Sequence, residues 1–171
     1  MTDANRPTAR GIIADLYEYG AWASERLLAR AEMLSDTQLR QKLSEGALPI
    51  LESFTHLLSA DRRWLARWQE APLPDRVTPV DLPTIAAVRR AGEDLALARR
   101  SYIAGLDDAA LAAPIRWQDD SETRTLIRWQ ALVQCANHGT QHRSEIAAML
   151  TDFGHSPGDL DFGLWCRTAG R

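Results

Sequence analysis

Apolar residues recur at steps of three and four over four long stretches of this chain, a spacing that commits most of it to amphipathic helices. Leu16, Tyr19, Ala23, Leu27, Ala31 and Leu34 form the first such face and predict a helix over about residues 8–34. Ser35-Asp36 then opens a polar connection that includes Gly46 and Pro49. Proline suits the first turn of a helix, where its missing N–H costs nothing, so a second helix is expected from Pro49 to about Glu70. Its broad apolar face carries Ile50, Phe54, Leu57, Leu58, Leu65 and Trp68. The next thirteen residues, APLPDRVTPVDLP, hold four prolines and cannot be helical. They read as a long crossover, because the patterns on either side are each too short to build an independent core.

Thr84 opens the third helix, with Val88, Ala91, Leu95, Ala98 and Tyr102 in period and Gly105 placed as a left-handed cap. Asp107 to Ala113 allows one more turn. Two partly alternating runs around Asp119-Asp120-Ser121 then predict a short hairpin. The fourth helix is expected from near Thr125 to about Phe153, ending at Gly154, and a short last helix over Asp159 to Arg167. The fold class that follows is all-α: a four-helix bundle with one long crossover connection plus a short C-terminal helix, a single domain over residues 1–171.

Composition narrows the function. A chain of 171 residues, 45% hydrophobic and 25% charged, has the makeup of an ordinary globular domain. Its net charge of -3 lacks the positive surface that displaces counterions from phosphate, which argues against a nucleic-acid partner. No apolar run approaches the ~20 residues that span a bilayer, and MTDANRPTARG lacks the apolar core of a signal peptide. Cys135 and Cys166 are too few for a disulfide framework. The expectation is a reduced, cytoplasmic protein with no membrane partner.

On the fourth helix Ala131, Cys135, His138, His142, Ile146 and Met149 advance by three or four, so His138 and His142 share a mostly apolar face one turn apart. A His-x-x-x-His pair is a weak signal alone, and Gly139-Thr140-Gln141 lacks the glutamate of a zincin. His56 strengthens it. On the wheel of the second helix it borders the apolar arc near Ala60, Ser53 and Trp64. Three inward imidazoles would leave ring nitrogens needing partners in a dry interior, and a shared metal answers that need.

The stretch YEYGAWASERLLARAEMLSDTQLRQ, followed by THLLSADRRWLARW, ANHGTQHRSEIAAML and the terminal GHSPGDLDFGLWCR, resembles the DinB/YfiT-like family in order and over nearly the whole chain. The resemblance implies a four-helix bundle, commonly a homodimer, with a metal held by His56, His138 and His142. Relatives include bacillithiol transferases and mycothiol-dependent maleylpyruvate isomerases, in which the metal activates a low-molecular-weight thiol. That implies a metal-dependent thiol S-transferase; a metal-dependent hydrolase or a non-catalytic metal-binding stress-response protein are the alternatives. Imidazole ligands suit one divalent ion, zinc or nickel first and iron after them. Three protein nitrogens leave a coordination position free, as catalytic zinc requires.

Other residues carry smaller expectations. Asp61 falls inside an apolar arc and needs a partner, with Arg26 or Arg143 as candidates. Cys135 is a fourth ligand or, more in keeping with free cysteines, a small buried apolar group. His155 reads as an exposed loop residue. Trp64 and Arg63 are candidates for a pocket beside His56, and Gln134 and Asn137 for substrate hydrogen bonds.

Overall fold

The computed structural model describes residues 7–119 and 122–170. Most of the N-terminal stretch read above, and Asp120 and Ser121 at the tip of the expected hairpin, lie outside the described residues. Helix α1 spans Ala9–Ala31 and starts where the Thr8 hydroxyl accepts a hydrogen bond from the Gly11 amide at 3.0 Å. Its buried line is Ile13, Tyr17, Gly20, Ala23, Leu27 and Ala31, with Leu16 and Tyr19 only half-buried beside it. A five-residue helix α2, Asp36–Arg40, occupies the start of what sequence suggested was a plain polar connection. Ser35 and Gln38 form a capping box there, the Ser35 amide donating to Gln38 Oε1 at 2.9 Å.

Helix α3, Ile50–Trp68, begins directly after Pro49. The proline-rich connection over 71–83 runs beside it: Val77 N–H donates to Ser59 Oγ (3.0 Å) and Arg63 Nη1 to the Pro74 carbonyl (2.7 Å). Helix α4, Ile85–Ala104, is capped by Thr84, whose hydroxyl accepts from Ala87 N–H at 3.2 Å. Gly105 ends it with φ −82°, so the helix closes right-handed and not through the expected left-handed glycine. After α5 (Asp108–Ala112), strands β1 (Pro114–Asp119) and β2 (Glu122–Ile127) pair antiparallel with Ile115 opposite Leu126. Thr125 therefore belongs to a strand, and helix α6 begins three residues later, spanning Arg128–Asp152. Gly154 terminates it with φ +80°, a left-handed turn that favours glycine. Helix α7 is Phe162–Thr168, capped by Asp161.

The four long helices form the bundle. Both α1 and α3 pack on α4 and on α6, so α1 lies diagonal to α3 and α4 diagonal to α6. Two apolar clusters fill the interior. One gathers Tyr17, Leu58, Trp68, Leu95, Leu132 and Cys135; the other gathers Leu27, Ile50, Phe54, Val88, Ile146 and Leu150. Leu82, at the end of the proline-rich connection, packs against both. Between the stretches that feed the two clusters lies a polar waist: Ser24 of α1, His56 of α3, and His138 to Arg143 of α6. Among the described residues no helix is long and apolar enough to cross a membrane.

Candidate metal centre

Helix α6 runs through the waist on residues that mostly favour helix, with few β-branched side chains between Ala131 and Leu150. Its buried line passes through Cys135, Gly139, Arg143 and Ile146. His138 and His142 stand beside that line, half-buried and turned toward α3, where His56 meets them. The ring centroids lie 4.5 Å apart for His138–His142, 4.9 Å for His56–His142 and 5.8 Å for His56–His138. One ring nitrogen from each of the three lies within 4.8 Å of the other two.

His142 is held from behind. Its Nδ1 lies 2.7 Å from Glu145 Oε2, and Gln141 Nε2 donates to the other carboxylate oxygen at 3.2 Å. With Nδ1–H donating to Glu145, the remaining lone pair of His142 sits on Nε2, 3.1 Å from Nε2 of His138. Partial burial alone would raise the Glu145 carboxyl, but the hydrogen bonds from Gln141 and His142 outweigh it and hold the group below the usual range. Burial, then the neighbouring His142 and Arg76, lowers His56 below a free imidazole. Burial, then His142 and His56, does the same to His138.

These nitrogens fit a divalent cation. The 3.1 Å between the two facing Nε2 atoms is close to the ~3.3 Å that tetrahedral zinc–nitrogen bonds of ~2.0–2.1 Å would require. His138 Nδ1 is buried with no hydrogen-bond partner, so hydrogen bonding within the protein leaves the ring only partly satisfied. The lowering favours the neutral form of His56 and His138, the form that binds metal. A cavity of about 600 Å³ opens beside the cluster, with His56, His142, Glu145, Leu48, Ser53 and Met149 in its wall.

The DinB family profile matches residues 1–169. The chain belongs to the DinB family. It is 28% identical over 157 residues to "Protein DinB" of Bacillus subtilis (strain 168), an alignment covering 88% of this chain and 91% of that relative. This DinB-family chain thus brings together the three histidines that sequence singled out, in a cluster able to hold a metal.

The neighbouring expectations fared differently. Asp61 pairs with Arg99 of α4, not with Arg26, which donates to the Pro157 carbonyl (3.0 Å), nor with Arg143. Cys135 is 1% exposed and its thiol donates to Asp61 Oδ1 at 3.2 Å, so it stands apart from the histidine cluster. His155 lies in the turn after α6, half-buried, its amide donating to the Leu150 carbonyl at 2.8 Å. Trp64 packs edge-on to Trp117 and Arg63 is held by Pro74, so neither lines the histidine cavity. Gln134 and Asn137 are exposed and away from it. Glu145 was the residue the sequence reading passed over. Its signal was its position, three residues after His142 and hence on the same helical face.

Proposed function

We propose that His56, His138 and His142 hold one divalent ion, zinc or nickel before iron, and that the protein is a metal-dependent thiol S-transferase. The observation that carries this reading is the convergence of three ring nitrogens at the wall of a cavity large enough for a small substrate. Cys135, the one candidate fourth ligand, is engaged by Asp61, which favours an open position over a closed structural site. When bound, the cation supplies Lewis acidity that favours the deprotonated, nucleophilic form of a low-molecular-weight thiol. The chain contributes the rest. Glu145 fixes the His142 ring and its tautomer, with Gln141 holding the carboxylate in place. Leu48 and Met149 give the cavity an apolar wall against which an electrophile can rest out of water. The proposal carries with it a homodimer, whose mass light scattering reports.

Elemental analysis of tag-free protein tests the site. About one metal per chain is expected in the wild type. Little or none should remain in folded His56→Ala, His138→Ala or His142→Ala. An unloaded wild type after incubation with zinc and nickel would reject the site. Loaded protein is then offered electrophiles with and without a small thiol. Conjugation that needs the thiol supports the transferase, whereas turnover in water alone would assign a hydrolase.

A further inference from the structure

Arg143 follows His142 in sequence but serves another place. It is 8% exposed and lies against two glycines. A Cβ built on Gly139 would sit 2.8 Å from Arg143 Nη1, and one on Gly20 of α1 would sit 3.3 Å from it. Glycine on both helices therefore makes room for this guanidinium inside the bundle. Its Nη2 donates to Thr140 Oγ1 at 3.0 Å and its plane approaches the Tyr19 ring, with Cζ 5.7 Å from the centroid. Nε is buried with no partner, and none of the ion pairs among the described residues includes Arg143. A lysine or histidine in this position could shed its proton; a guanidinium cannot. A buried charge of this kind requires a counter-charge.

The space for one is present. A cavity of about 40 Å³ lies among Arg143, Arg99, Asp61, Cys135, Tyr17 and Ser24, above the ~10–15 Å³ that a single water needs. Its walls carry two guanidinium groups and one carboxylate; that carboxylate attracts Arg143 through space but is held directly by Arg99 and by the Cys135 thiol. Arg99 Nε is likewise buried without a partner. One positive charge is left over. The cavity also shares Ser24, Leu57, Asp61 and Arg99 with a wider groove of about 270 Å³ flanked by α1 and α4, which supplies a way in.

We propose that this cavity is a binding site for a small monovalent anion of halide size, held by Arg143 with Arg99 beside it. The anion neutralises the bundle's interior at its waist, and its site is separate from the histidine cluster.

The test uses the full-length chain, both metal-loaded and metal-free. Crystals grown or soaked in bromide are examined for anomalous signal, and Tm is followed as chloride replaces gluconate at constant sodium. A bromide peak within hydrogen-bonding distance of Arg143 is expected, with Tm rising about 3–5 °C for each tenfold increase in halide above its Kd. The rise should be the same with and without metal and should disappear in Arg143→Met. Only water in the cavity, bromide only at the histidines, or a halide response unchanged in Arg143→Met would each overturn the proposal. The bromide measurement on wild type stands even if the variant does not fold.

Discussion

Glu145 and His142 show how much a single contact can organise. A carboxylate behind an imidazole fixes which nitrogen keeps the lone pair, and such partners are typically worth a 10–100-fold change in metal affinity. Glu145→Gln should therefore weaken zinc or nickel binding by about 10–100-fold in a competition titration while leaving the fold and the stoichiometry intact. An unchanged Kd would reduce the contact to a surface ion pair. His56 and His138 make a second prediction through their lowered values. Above the ~6.5 of a free imidazole, folded and unfolded metal-free chains are both neutral at these sites and pH has no effect through them. Below it the unfolded chain binds protons that the folded chain refuses, so stability falls with pH until the lowered folded values are passed. The urea midpoint of metal-free protein should drop as pH falls below the ~6.5 of a free imidazole, and less so in His56→Ala. At this scale the sequence was most informative where spacing alone decides, as for His138 and His142. It was silent where a partner comes from another helix: nothing in the run around Asp61 points to Arg99, thirty-eight residues away across α3 and α4.

The helices were legible for a different reason. Long faces with steps of three and four survive errors at their ends, so α1, α3, α4 and α6 were all anticipated while their boundaries moved by one to three residues. The start of α6 moved because Thr125, Leu126 and Ile127 continue an apolar run in helical period, yet they are β-branched or bulky and pair with Pro114 to Arg116 as a strand. Helix α2 escaped because five residues burying only Leu39 give no periodic signal; the Ser35–Gln38 capping box was its one readable mark. Two mid-helix glycines should respond in opposite ways to the same change. Gly92 of α4 has nothing within 4 Å of an added Cβ, so Gly92→Ala should stabilise by about 0.5–1 kcal/mol through backbone entropy. A Cβ on Gly139 of α6 would come within 2.8 Å of Arg143 Nη1, so the buried guanidinium would have to shift away from its Thr140 hydrogen bond and its place over Tyr19. Gly139→Ala should therefore cost about 1–3 kcal/mol despite its better helix propensity. Thermal unfolding of the two variants against wild type reads both signs.

At the scale of the molecule, the sequence could not show that the interior is divided. Apolar periodicity reports that a face is buried, not against which cluster, and the four helices each feed both clusters. Nor could it show that α1 and α3 are diagonal, since that depends on how the connections 32–49 and 105–127 travel around the bundle. The polar waist has a consequence for how the protein breathes. Regions of a protein open as cooperative units, and a layer of charge and imidazole between two apolar masses is a natural seam between such units. Backbone amides of Leu27, Phe54 and Leu150 should then share one exchange rate with deuterated water, and those of Leu58, Leu95 and Leu132 another, when the histidines are stripped of metal. An ion fastening α3 to α6 at the seam should merge the two rates into one, so that the halves of the bundle open together or not at all.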